Sequence, residues 1–386
     1  MVTNNNSLDH LKIIGVVGTN GKTTTAKIII HLLESQGIST KYFHSKDLSG
    51  KQNNIISEYN KNAFQIAIIE IDLKDLNDDF FNNNFNFHAI VHTCFDFRDF
   101  KNYIEYQSSI KKLKKLFSLI SNDGIAVINI DDKYHMVLLE KMENRLIFPY
   151  GLSSKATLTA SSIEMDLTVN FLCCLQRSLT NINDIEIEPM EFTVHSQLAG
   201  RHNIYNVLAA VALALIFGVK SNIITDAIKE FKQLKRRMST IYDQRFMIID
   251  DCSRNSLGYN AAFETIQGFD YENLHIVKSI SNDKISGYRR NSSAIMNWLS
   301  GLRCKNIFTT TCSDIMNTDV KLKKVNYIIH KVFDQQSIAF RHFDRLEEAI
   351  KETLSTAQEN DLILLLGETE MDQGEQIIHE YLKEKL

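Results

Sequence analysis

Apolar and polar positions recur along this chain with two periods. Residues 11–17 form a short apolar run that leads into glycine-rich sequence, the pattern of a buried strand. Residues 22–36 follow a helical period, with Ala26, Ile29, Ile30 and Leu33 repeating and Gly37 placed to end the helix. Residues 65–71, 88–93 and 125–130 read as further strands, and 103–120 as an amphipathic helix. Strands separated by helices predict a mostly parallel sheet with right-handed crossovers.

Between 156 and 194 the pattern changes. The runs Ile163–Glu164–Met165–Asp166–Leu167 and Ile185–Glu186–Ile187–Glu188 alternate with period two, which predicts strands of a small antiparallel sheet. Helices are expected at 203–217 and 221–231. The basic run Lys235–Arg236–Arg237 then opens a second α/β region, with strands over 245–250, 274–278, 306–310 and 362–366 and a helix over 346–356. These patterns place a boundary near Arg236 and predict domains of residues 1–236 and 237–386.

Composition narrows the classes. A length of 386 residues allows two or three domains, and 44% hydrophobic residues supply an adequate core. A net charge of −4 disfavours a generic nucleic-acid surface. Only two prolines occur, Pro149 and Pro189, which excludes a proline-rich linker. The N-terminus has no basic segment followed by an apolar core, and the apolar stretch 207–219 is too short to span a bilayer. Six cysteines form no C-x-x-C pair, which argues against zinc; Cys173 and Cys174 read as core thiols. A reducing cytoplasm is the expected compartment.

The chemistry concentrates in Gly15-Val16-Val17-Gly18-Thr19-Asn20-Gly21-Lys22-Thr23-Thr24-Thr25, which follows a predicted strand and opens a helix. A glycine-rich turn there presents backbone N–H groups and a helix N-terminus to phosphates. Lys22 would reach the β- and γ-phosphates, and the Thr23 or Thr24 hydroxyl would take a Mg²⁺ position. The generic phosphate-loop pattern fails at its first glycine, since position 16 is valine.

In its specific form, G-T-N-G-K-T-T, this loop resembles that of the Mur ligase superfamily, which includes the peptidoglycan amino-acid ligases, folylpolyglutamate synthase and the C-terminal half of cyanophycin synthetase. Asn129-Ile130-Asp131-Asp132 resembles that family's N-x-D-D. The segment from Gly200 through His202, Asn203 and Asn206 to Ala209 and Ala210 is similar to its G-x-H-N-x-x-N-x-x-A-A.

The resemblance implies a P-loop NTPase-like, mostly parallel α/β domain with a small antiparallel β insertion, followed by a smaller Rossmann-like α/β domain. It also implies an ATP-dependent ligase that joins a small-molecule or peptide acid to an amine or amino acid through an acyl phosphate. ATP and Mg²⁺ are the implied cofactors. Gly18, Thr19, Asn20, Gly21, Lys22, Thr23 and Thr24 would hold the phosphates. Glu70, ending its strand, would bind Mg²⁺ with Thr23; Asp72 is a weaker candidate. Asn203 would contact adenine beside His202 and Asn206, with Asn129 and Asp131 shaping the strand end. Lys111 or Lys112 matches the helix on which many members carry a carbamylated lysine. In the second domain Asp251 would contact the nucleotide, Asn255 would face the amine, and Arg289 would contact a phosphate or carboxylate. Closure of the domains would bring Asp251 and Arg289 towards the phosphates.

Several family features are replaced. The D-H after T-N is absent from Thr93 to Asp99. The D-Y-A-H-N-P histidine is Arg254 and its proline Ser256. The late G-K-G-H-E segment reads Gly367-Glu368-Thr369-Glu370-Met371, which reverses local charge. The phosphate loop at residue 15 leaves no room for the usual precursor-binding domain, so an acid not held by a uridine-nucleotide domain is expected. Asn255-Ser256-Leu257-Gly258-Tyr259 and the Asn129 segment lean towards the ligase half of cyanophycin synthetase. The alternative is an ATP-binding subunit or pseudoenzyme acting through a protein partner. A P-loop motor or GTPase is disfavoured, because no apolar run ends in Asp at the expected place.

Overall fold

The computed structural model describes residues 11–48, 53–82, 85–96, 100, 102–139, 142, 145–280, 285–299, 301–310 and 338–385. It divides into two compact units, Met1–Lys232 and Gln233–Leu386.

The first unit is built on a nine-stranded sheet. Its strands are β1 Lys12–Val17, β2 Thr40–His44, β3 Ile66–Ile71, β4 Phe87–His92, β5 Ile120–Asn129, β6 Leu146–Tyr150, β7 Leu158–Met165, β8 Val169–Leu175 and β11 Met190–Ser196, in the order β11-β8-β7-β6-β5-β4-β1-β3-β2. The two-residue strands β9 Leu179–Thr180 and β10 Glu186–Ile187 pair with each other. Among the described residues these helices accompany them: α1 Lys22–Ser35, α2 Asn53–Asn62, α3 Asp78–Phe81, α4 Tyr103–Phe117, α5 His135–Leu139, α6 Arg201–Ile216 and α7 Ser221–Glu230.

Strands β1 to β6 are mutually parallel, and β1 lies between β3 and β4. All six residues of β3 are buried, as expected of a parallel strand covered on both faces. On one face α1 packs against α6, which is buried all round from Asn206 to Ile216. Cys173 and Cys174 are buried thiols on β8, and burial pushes the Cys173 thiol far up.

Two expectations need correction. The antiparallel strands β7, β8 and β11 are not a small sheet of their own: β7 joins β6 at Leu158↔Tyr150, and β8 and β11 extend the main sheet from there, whereas the run at 185–188 does supply a small antiparallel pair, β10 with β9. Strand β5 begins at Ile120 rather than 125. Ile120 pairs with Phe87 and the Ser121 hydroxyl donates to the Phe87 carbonyl, so the chain turns into the sheet as soon as α4 ends. Strands β2 and β6 were not legible. Each has only five residues with mixed polarity, β2 at a sheet edge and β6 carrying Pro149.

The second unit has a six-stranded sheet in the order β12-β13-β17-β14-β15-β16. The strands are β12 Ser239–Asp243, β13 Met247–Asp251, β14 Leu274–Ser279, β15 Cys304–Thr310, β16 Ala339–Phe343 and β17 Leu362–Leu366, all parallel except β12. Helices α8 Ser256–Ile266, α9 Ile285–Leu299, α10 Leu346–Thr356 and α11 Gly374–Lys385 belong to it. At the start of its central strands, His275 Nε2 lies 2.9 Å from Asp361 Oδ2, and both side chains are buried. Burial holds the His275 pKa below its ordinary value. Among the described residues no helix is long and apolar enough to cross a membrane.

Candidate functional site

The glycine-rich loop joins β1 to α1 at the carboxyl edge of the first sheet, where ligands of open parallel sheets bind. Gly21 caps α1 in the left-handed region, φ 82°, and the first turn of α1 carries no acidic residue. A Cβ on Gly21 would stand 2.4 Å from Asn206 Oδ1, and one on Gly18 would stand 2.1 Å from Thr93 Oγ1. Only glycine fits at either place. The end of β4 holds the loop from below: Thr19 N donates to the Cys94 carbonyl at 2.8 Å, and the Thr93 hydroxyl donates to the Asn20 carbonyl at 2.6 Å.

Strand β3 brings Glu70 to the same edge, in register with Val16 of β1. Its carboxylate is buried, and both oxygens accept hydrogen bonds. Thr23 Oγ1 donates to Oε1 at 2.8 Å, and the Tyr42 hydroxyl of β2 donates to Oε2 at 2.5 Å. Lys22 is buried as well. Its ammonium lies 3.0 Å from Asp72 Oδ1 and donates to the Thr19 carbonyl at 3.4 Å. Around Asp72, the Ser45 hydroxyl accepts from Asp72 N and donates to Asp75 Oδ2, and His44 lies within 4.0 Å of both carboxylates. Thr24 is buried one residue on.

Among the described residues no group of three or more His, Cys, Asp or Glu side chains forms a metal cage. One carboxylate and one hydroxyl, Glu70 and Thr23, are nevertheless a fitting donor set for Mg²⁺, which takes few protein ligands and shares the rest with phosphates and water.

Helix α6 carries His202, Asn203 and Asn206, and brings Asn206 against the loop at Gly21. The Asn203 amide donates to the Ala199 carbonyl at 2.6 Å, and its oxygen accepts from Asn206 at 2.8 Å. Asn206 also accepts from Thr25 of α1 at 3.3 Å. The pair therefore ties α6 to α1. Asn129 donates to the Thr93 carbonyl, and Asp131 accepts from Leu152 N, Ser153 N and the Tyr205 hydroxyl, organising the turn after β6. Asp132 accepts from Tyr134 N in its own turn and from Phe95 N in the segment after β4, and lies 3.5 Å from the buried His92; burial raises its pKa to about 6.

On α4, Lys112 donates to the Leu73 carbonyl at 3.4 Å, just beyond Glu70 and Asp72, whereas Lys111 is exposed. In the second unit Asp251 ends β13 and accepts from Met238 N and the Ser253 hydroxyl, and Asn255 is the N-cap of α8, accepting from Gly258 N. Arg289 lies in α9, and its side chain is outside the described residues. Arg254 and Glu368, two of the replaced positions, face each other at 3.8 Å. Arg236 is committed to Asp250, Asp372 and the carbonyls of Gly367 and Glu368.

Tyr42 and Thr93 were not singled out from sequence. Tyr42 lies on a strand that was itself not legible, and no spacing links it to Glu70. Thr93 belongs to the T-x-x segment that stood out only for its missing histidine.

Residues 16–214, just over half of the chain, match the Mur ligase middle domain family. The chain is similar to the UDP-N-acetylmuramate–L-alanine ligase of Caldicellulosiruptor saccharolyticus, 23% identical over 93% of this chain and 74% of that protein. It is 27% identical to the ligase of the same name from Vesicomyosocius okutanii, over 68% of this chain and 54% of that protein. Among solved structures, the MurF ligase of Thermotoga maritima in complex with ADP matches with a TM-score of 0.69 at 13% identity, over 97% of this chain and 81% of that one.

Proposed function

The chain belongs to the Mur ligase family, and we propose that it is an ATP-dependent carbon–nitrogen ligase that joins an acid to an amine or amino acid through an acyl phosphate. One observation carries the proposal. A glycine turn, a buried lysine, and a hydroxyl donating to a buried strand-end carboxylate meet at the N-terminus of α1. That is a site for a nucleotide's phosphates and their counter-ion.

Within it, the backbone of Gly18 to Gly21 would wrap the phosphates, and Lys22 would neutralise the transferring oxygens. Thr23 and Glu70 would hold Mg²⁺, which when bound supplies charge neutralisation for phosphoryl transfer. The ADP bound by the Thermotoga maritima ligase supports the nucleotide. The names of the bacterial relatives support a small-molecule acid and an amino acid as the substrate classes. Lys112 is the α4 lysine that stands nearer the site, by its contact with Leu73.

The test is hydroxylamine trapping. Purified protein with Mg-ATP and a panel of acids should yield ADP and hydroxamate in equal amounts with a cognate acid, and Lys22→Ala should abolish both. A second reading, an ATP-binding subunit acting through a partner, is favoured by the Arg254–Glu368 contact, in which two replaced positions satisfy each other. Tight Mg-ATP binding without ADP or hydroxamate for any acid would support that reading. Absence of nucleotide binding would sink both.

A further inference from the structure

Glu70 is a charged residue in a strand otherwise made of isoleucine and alanine, and it is 5% exposed. A carboxylate in such a place stays ionised and oriented only if donors surround it. One donor, Thr23, comes from the phosphate loop's own helix. The other, Tyr42, comes from the neighbouring strand β2, where His44, two residues on, is the register partner of Glu70. Successive strand residues face opposite sides. Phe43 belongs to the core on one face of the sheet, and Tyr42 faces α1 on the other.

Tyr42 is held at both ends. Its hydroxyl donates to Glu70 Oε2, and Lys27 Nζ sits 4.0 Å above its ring. Lys27 is one helical turn after Thr23, so the two project from the same side of α1. A cation over an aromatic face is attracted by the ring's quadrupole, which fixes the ring without using the hydroxyl. The result is a closed chain from Thr23 to Glu70, Tyr42, Lys27 and back along α1.

From this chain we infer that Tyr42 is a positioning residue for the metal-binding carboxylate. It fixes the rotamer of Glu70 with Oε1 on the Thr23 hydroxyl, and each oxygen keeps a further lone pair for a cation. The inference rests on the reading of Glu70 and Thr23 as the Mg²⁺ site and adds to it a residue from outside the phosphate loop and its strand. Hydrogen-bond partners of metal-ligating carboxylates orient the ligand and tune its basicity.

Titration of Mn²⁺ into the protein saturated with ADP, followed by electron paramagnetic resonance and calorimetry, tests this directly. Tyr42→Phe keeps the ring and its contact with Lys27 and removes only the donor. It should weaken Mn²⁺ binding about 10-fold or more, in line with lost outer-shell partners. The affinity for metal-free ADP should stay at the wild-type value, and the melting temperature should fall modestly, because a buried carboxylate loses one donor. In a Glu70→Gln background, Tyr42→Phe should cause no further loss.

Wild-type Mn²⁺ affinity in Tyr42→Phe, with Glu70→Gln impaired, overturns the inference and leaves the metal reading standing. An equal loss of metal-free ADP affinity, or losses that add in the double variant, also overturns it, since Tyr42 would then act on the loop as a whole. Wild-type Mn²⁺ affinity in Glu70→Gln would remove the metal reading itself.

Discussion

Lys22 Nζ stands 3.0 Å from Asp72 Oδ1, with 5% of the lysine side chain and 19% of the aspartate exposed. The group that would neutralise a phosphate is already neutralised by the protein. A buried ammonium without a partner is costly, so Asp72 stabilises Lys22 in the loop, and on the reading of Lys22 as a phosphate ligand a phosphate would compete with Asp72 for it.

Asp72→Asn should therefore separate stability from binding. The nucleotide-free protein should lose about 2 kcal/mol, the order expected when a largely buried charged group loses its partner. Saturating Mg-ADP should restore most of that loss, and nucleotide affinity should rise because no carboxylate competes. Thermal unfolding with and without Mg-ADP checks this; a loss of the same size in both states would refute it.

Gly21 has no room for a side chain. Alanine there would occupy a left-handed conformation, at a cost of about 1–2 kcal/mol, and place its Cβ on Asn206 Oδ1. Gly21→Ala should break the tie between α1 and α6 and abolish ADP binding measured by calorimetry. Gly37→Ala, in an open turn with φ 84°, should cost only the backbone term and leave ADP binding intact.

The His92–Asp132 contact predicts an opposed pH dependence. Burial lowers the His92 pKa from 6.5 to about 3, with the charge of His135 adding to it. The unfolded chain therefore takes up a proton below pH 6.5 that the folded protein refuses. Stability from this group is present above pH 6.5 and is lost as the pH falls, by about 2 kcal/mol at pH 5. Burial raises Asp132 from 3.8 to about 6, so its contribution is present below pH 3.8 and is lost as the pH rises through 6. Between pH 7 and pH 5 the two act in opposite directions. Asp132→Asn removes the compensating term, so urea denaturation should show a steeper loss of stability on acidification than in wild type. A shallower slope would contradict the assignment.

Part of the fold was legible because it is local. The run before Gly18, the period of α1 and the strand that carries Glu70 each hold their pattern within about fifteen residues. The helix Leu346–Thr356 and the strand Leu362–Leu366 were read to the residue. Asn255 was singled out as a site residue, and the structure places it as a helix cap, a role that any Asn before a helix can fill.

By itself the sequence determined the glycine turn, the lysine at the start of a helix and the alternation of strands and helices in both halves, and its motifs carried the resemblance to the family. The first three follow from backbone sterics and hydrophobic period, which act between near neighbours. Tertiary structure decided which groups meet. Tyr42 reaches Glu70 across 28 residues, Asn206 reaches Thr25 across 181, and β7, β8 and β11 extend the main sheet instead of forming their own. Hydrogen bonds between such distant residues depend on strand order and on which face each strand turns inward. Neither is written in any one segment, because each is settled only when the whole sheet buries its two sides.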